Sequence, residues 1–204
     1  MIKNLKSLAL LRSISLRFSS SLQITKVFLD QMSRCLKRLK LLKEIAFKFS
    51  FSELKDLELQ SLSKCLKSSL LLQSIELAFP RHSKITDAGF FRLINSLKRL
   101  TSFQNAAFSF FNCLNLTDKV LQFLAKTLKG LFCLQSISLN FHLCYLISDK
   151  GLESLCEVIK ELTSLQKIGL SFISCGNISY DGKQKISEAL KKHPSLQSYH
   201  KDFQ

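Results

Sequence analysis

The chain has 204 residues, 46% of them hydrophobic, which suffices for one sizeable core and is too short to require a second domain. Thirty Lys and Arg against fifteen Asp and Glu leave a net +15, favouring anionic partners such as acidic protein surfaces, nucleic acid or anionic lipid without choosing among them. Seven cysteines with no evident secretory signal argue against a disulfide scaffold and for a reducing compartment, and no apolar run is long enough to cross a bilayer.

In chain order, the first stretch is ambiguous. It holds Lys3, Lys6, Arg12, Arg17 and Lys26 with no acid before Asp30, which is the composition of a mitochondrial presequence. Yet Leu5, Leu8, Leu11, Ile14, Leu16 and Phe18 stand in the same register as Ile159, Leu162, Leu165, Ile168, Leu170 and Phe172. That register favours folded structure and a cytoplasmic protein, with a mitochondrial one as the alternative. Residues 1–10 then read as the tail of an incomplete first repeat.

From Leu11 onward one phrase recurs, starting at residues 11, 42, 72, 103, 134 and 165, with a partial seventh copy from Leu196 as a terminal strand over 196–204. The fixed period of 30 or 31 residues marks a solenoid spanning 1–204 as a single domain, in which neighbouring repeats make the core together. Within each phrase apolar residues alternate, as in Ile137, Leu139 and Phe141, so each is a strand buried on one face. The outward positions, from Ser13, Ser15 and Arg17 to Lys167, Gly169 and Ser171, should form a concave face with no aromatic anchor. Arg17 and Lys48 are its best charged contacts.

After each strand comes a helix start: Ile85-Thr86-Asp87, Leu116-Thr117-Asp118, Ile147-Ser148-Asp149 and Ile178-Ser179-Tyr180. Thr or Ser there caps an orphan N–H, and the Asp complements the positive end of the helix dipole. The helix buries positions four apart, such as Gly151, Leu155 and Ile159, or Leu93 and Leu97, and its small residues Gly89 and Gly151 are expected to let the helix start lie close to the sheet. The second repeat is irregular, with Lys55 at the cap and Glu58 at the glycine position, so its helix start should be the least stable. Near each helix end stands a lysine: Lys37, Lys67, Lys98, Lys129, Lys160 and Lys191. Each is explained locally by the negative end of its helix dipole.

This unit resembles the ribonuclease-inhibitor class of leucine-rich repeats, which combines Leu-x-x-Leu-x-Leu with a following helix. The resemblance implies an α/β leucine-rich-repeat solenoid, with a parallel sheet on the concave side and helices on the convex side. Two features depart from the class. The unit is slightly long, and the usual Asn or Cys beyond the strand is replaced by Phe18, Phe49, Phe79, Phe110, Phe141 and Phe172, which read as a hydrophobic spine. Proteins of that class include inhibitors, innate sensors and a GTPase activator, but no motif here carries residues over from any of them.

Nucleophile motifs, phosphate-binding glycine loops and paired Cys-x-x-Cys knuckles are missing. His82, His142, His193 and His200 sit singly, without ligand spacing. The sequence therefore points to no catalytic residues, no metal and no cofactor. Cys113, Cys144 and Cys175 share one repeat position with His82 and read as small buried core residues, with redox coupling between neighbouring thiols or metal binding as alternatives. Cys35, Cys65 and Cys156 look like ordinary helix core.

Basic charge concentrates early, at fourteen basic against five acidic residues through Lys67, and Arg34, Lys37, Arg38 and Lys40 cluster at the first helix end. The expected function is a non-catalytic interaction or scaffold module, part of a larger assembly, with an acidic protein partner contacting Arg17, Lys48, Arg34, Lys37, Arg38 and Lys40. A nucleic-acid or anionic-membrane binder using the lysines is one alternative, and a regulator of a GTPase or other enzyme is another. The N-terminal end, lacking an obvious cap, should be covered by another subunit, by self-association or by a missing upstream segment.

Overall fold

A computed structural model describes residues 10–18, 24–50, 54–81 and 84–203. Expectations resting on residues 1–9, including the uncapped N-terminal end, and on His82 lie outside these residues.

Seven strands, β1 (Ser13–Phe18), β2 (Glu44–Phe49), β3 (Ser74–Ala78), β4 (Asn105–Ser109), β5 (Ser136–Asn140), β6 (Lys167–Ser171) and β7 (Ser198–Asp202), form one parallel sheet in sequence order. Between them lie α1 (Lys26–Leu36), α2 (Asp56–Lys67), α3 (Asp87–Ile94), α4 (Asp118–Leu128), α5 (Asp149–Glu161) and α6 (Tyr180–Lys191). Parallel strands are about 4.8 Å apart whereas packed helices need about 8–10 Å, so a row of such units bends with the sheet inside. Residues one repeat apart pair directly, as Ile137 does with Ala106 on one side and Ile168 on the other. The alternation read from the sequence is the one observed: Ile137 and Leu139 are buried and Ser138 is exposed.

The Phe column is a continuous stack through the core. Ring centroids of Phe18, Phe49, Phe79, Phe110, Phe141 and Phe172 are separated by 4.8, 5.2, 5.1, 5.8 and 5.7 Å. Phe203 extends it by another 5.7 Å beneath the terminal strand. Each such contact contributes about 0.5–1.5 kcal/mol beyond the area it buries.

Two local features differ from expectation. The third helix ends at Ile94 and gives way to a 3-10 turn over Leu97–Arg99, where Ser96 Oγ donates to the carbonyl of Leu93 at 2.5 Å, the acceptor that continued α-helix would offer to the Leu97 N–H. The glycines, moreover, face a neighbouring helix start and not the sheet. A Cβ built on Gly151 would lie 2.6 Å from Asp118 Oδ1, so the small residue is needed for the carboxylate of the preceding repeat. Gly89 stands in the same way against Asp56, and Gly182 against Asp149. Glu58 is permitted at this position in the second repeat, where the preceding helix begins with Lys26 and brings no such carboxylate.

Candidate interaction surfaces

Three surfaces follow from this architecture: the strand face, the edge where strands turn into helices (the helix-start edge), and the edge where helices turn back into strands (the helix-end edge).

On the strand face, Arg17 pairs with Lys48 across β1 and β2, bringing together two of the cations expected there. Lys48 also reaches Glu76 at 2.5 Å, so its charge is partly matched within the face. The remaining side chains are mostly small, including Ser74, Ala107, Ser138 and Gly169. Arg34, Lys37, Arg38 and Lys40 are exposed at the end of α1 and in the turn after it. The fold does not merge the two groups. Arg17 lies four residues, about 13 Å, along its strand from the helix-end edge and faces the sheet side.

The helix-start edge is internally bonded. Thr86, Thr117, Ser148 and Ser179 cap their helices by accepting from a backbone N–H within the first turn. In the same place the Asp of each preceding repeat accepts twice from the next cap residue. Asp118 Oδ1 accepts from the Ser148 N–H at 2.7 Å and Oδ2 from its hydroxyl at 2.7 Å. Asp56 does the same with Thr86, Asp87 with Thr117 and Asp149 with Ser179. The carboxylates thus link repeats as well as complementing dipoles, a role that sequence reading alone did not supply. In the irregular second repeat the Lys55 N–H is held at 3.0 Å by Glu58, which supplies the cap from inside the helix.

The cysteine column belongs to this edge. Cys113, Cys144 and Cys175 donate their thiols to the carbonyls of Phe79, Phe110 and Phe141 at 3.2, 3.1 and 3.1 Å. All three are buried and none is in a disulfide. Burial pushes the Cys175 thiol up to about 11 and moves Cys144 in the same direction, which disfavours the thiolate that redox exchange or metal binding requires. Cys35, Cys65 and Cys156 are also buried, while Cys133 is exposed on the helix-end edge. Among the described residues no group of three or more His, Cys, Asp or Glu could hold a metal ion. Loop closure at the helix-start edge also places Arg81, Asn112, Leu143 and Ser174 at φ of 63°, 55°, 60° and 56°, one repeat apart.

The helix-end edge has the opposite character. Its six segments, 37–43, 67–73, 98–104, 129–135, 160–166 and 191–197, contain eleven basic residues and one acid, Glu161, a formal +10 of the chain's +15. Lys37, Lys67, Lys98, Lys129, Lys160 and Lys191 are all exposed there. The turns of these segments expose large apolar side chains, Leu41 at 39%, Leu70 and Leu71 at 51% and Phe132 at 83%, and Leu10, just before the first phrase, is 81% exposed. Glu161 is engaged by Lys129 at 2.9 Å.

A groove of about 620 Å³ between α5 and α6 completes the surface features. Glu153, Lys185, Glu188 and Lys192 line it and pair among themselves, Lys185 with Glu153 at 3.0 Å and Lys192 with Glu188 at 3.3 Å. His193, beside it, is buried in the column occupied elsewhere by Leu39, Leu100, Leu131 and Leu162, with Nδ1 at 3.4 Å from the Ser195 N–H. These groups do not form a nucleophile and base arrangement.

No protein-family model matches the sequence, and no curated protein matches it. Among solved structures, the tropomodulin C-terminal domain of Caenorhabditis elegans is similar at 14% identity and a TM-score of 0.48, over 94% of this chain and 90% of that one. The leiomodin-1 actin-binding site 2 is similar at 13% identity and 0.44, over 94% and 86%. A chain of the yeast Rad7 and Elc1 complex gives 14% identity and 0.44, over 92% and 53%. At these scores the likeness carries no argument about function. Among the described residues no helix is long and apolar enough to cross a membrane.

Proposed function

We propose that the chain is a non-catalytic protein-interaction module of the leucine-rich-repeat type, in the ribonuclease-inhibitor class, serving in the cytoplasm as part of a larger assembly. Its partner on this reading is a protein with an acidic surface. The observation that carries the proposal is the grouping of cations in the first repeats, where they outnumber the acids beside them. Arg17 and Lys48 adjoin on a face of small side chains, and Arg34, Lys37, Arg38 and Lys40 are exposed with no acid between residues 31 and 43. A face without Trp or Tyr anchors suits close approach of a partner's backbone, with charge setting orientation and rate.

Co-purification from native cells, followed by identification of what is bound, tests the reading. Wild type should recover an acidic protein that is lost from both Arg17→Gln/Lys48→Gln and Lys37→Gln/Arg38→Gln/Lys40→Gln, while denaturant midpoints stay within about 1 kcal/mol of wild type. Recovery of the same partner by both variants would sink it.

A further inference from the structure

The helix-dipole explanation accounts for one lysine per helix end, and it leaves half of the helix-end edge unexplained. It gives no reason for Arg38, Lys40, Lys43, Arg99 and Lys192 to share that edge, nor for the apolar side chains exposed among them. Leu10 and Phe132 are more than four-fifths exposed, and Leu70 and Leu71 half exposed, on an edge that also carries about two-thirds of the charge excess. The helix-start edge exposes apolar residues too, Leu114, Tyr145, Leu146 and Tyr180, the last at 73%, but without the charge: its loops and helix first residues hold four basic and five acidic residues.

We infer that the helix-end edge docks on the surface of an anionic lipid bilayer, with its lysines and arginines at the headgroups and Leu10, Leu41, Leu70, Leu71 and Phe132 entering the interfacial layer. The geometry suits this occupant. Seven strands at about 4.8 Å spread the turns along a row of roughly 30 Å, and every turn ends on the same side of the sheet. A row of single apolar tips separated by cations matches an interface that offers negative charge above hydrocarbon. An acidic protein held at the first helix end by Lys37, Arg38 and Lys40 would cover one turn of this edge, and the later turns give it no cohesive anchor patch because Thr101, Ser102, Thr163 and Ser164 interrupt them. Nucleic acid would use the charge but leave the aliphatic tips without a role. This inference does not rest on the protein partner proposed above, and its variants below are different ones. The two readings share Lys37, Arg38 and Lys40, so bilayer and protein partner exclude one another at the first turn, while Arg17 and Lys48 on the strand face stay free.

Flotation with vesicles of phosphatidylcholine, with and without phosphatidylserine, tests it. Wild type should bind only the phosphatidylserine vesicles. Lys67→Gln/Lys98→Gln/Arg99→Gln should weaken that binding on the order of a hundredfold, at about fivefold for each charge removed. The charge-matched control on the opposite side, Lys55→Gln/Lys119→Gln/Lys150→Gln, should weaken it far less. Leu70→Ser/Leu71→Ser/Phe132→Ser should also reduce binding by about tenfold or more. The chain has no Trp, so Phe132→Trp provides a single indole whose emission should shift to the blue on phosphatidylserine vesicles and stay unchanged with polyglutamate or duplex DNA. This last variant keeps the test valid if the triple serine variant fails to fold. Absence of binding to the anionic vesicles, equal losses from the two charge triples, or an unshifted indole on bound vesicles would each overturn the inference.

Discussion

On the helix-start edge, Asp56, Asp87, Asp118 and Asp149 each reach into the next repeat and are occupied there by two hydrogen bonds. On the helix-end edge the recurring charged residue is a lysine that reaches into solvent, and Lys129 is the one seen bridging to the next repeat, through Glu161. One edge uses its recurring side chains for cohesion and the other leaves them available. The difference teaches that a column repeated along a solenoid is not evidence of a binding site until its neighbours are known. The Asp column is as regular as the Lys column, and its partners are all internal.

The comparison can be sharpened by substitution. The reference is the core beneath both edges: Leu139→Ala should cost about 2–5 kcal/mol by leaving a cavity between repeats, while Ser138→Ala on the exposed side costs little. Equal falls in denaturant midpoint for the two would overturn the strand facing. Next, Asp118→Ala removes two charge-assisted bonds to Ser148 and should cost about 1.5–3 kcal/mol. A loss under 0.5 kcal/mol in the same measurement would reduce the carboxylate column to decoration of the helix dipoles.

Lys129→Gln, on the other edge, removes an exposed pair with Glu161 and a cation at a helix end, and should cost only about 0.3–1 kcal/mol. A cost matching that of Asp118→Ala would erase the contrast between the edges. The smallest effect expected is a gain. Ser174 sits at φ 56°, and Ser174→Asn, which places there the residue type already found at Asn112, should stabilise by about 0.3–0.5 kcal/mol. Thermal unfolding of the variant beside wild type reads this out, and a lower midpoint would mean that the loop's own packing matters more than its backbone angle.

Much of this was legible in the sequence because two periods coincide. Alternation of Ile137, Leu139 and Phe141 sets the buried face, and the spacing of 30 or 31 residues repeats it, so strand facing and the Phe stack could be read before any coordinates. The bonds made by the Asp column could not, since an acid in the first helical turn already has a sufficient local explanation. Nor could the left-handed positions be read, because Arg81, Asn112, Leu143 and Ser174 share no residue type that announces a positive φ. On the helix-end edge the lysines were visible but their apolar neighbours were not. In the run Leu70, Leu71 and Leu72 nothing in composition tells that only the third is buried. The candidate cations Arg17 and Lys48 were placed together by strand register, whereas the ion pair of Lys48 with Glu76 depends on side-chain reach across the sheet.

The second helix begins at Lys55 and Asp56, and the first at Thr25 and Lys26, so the carboxylate that would tie the first unit to the second is absent. In a linear array, each unit is held only by its own folding free energy and by coupling to its nearest neighbours. A weaker coupling at one junction makes that junction the place where melting starts. The first unit should therefore part from the second before other junctions open, and amide protons of β1 should exchange through an opening that leaves β4 to β6 protected.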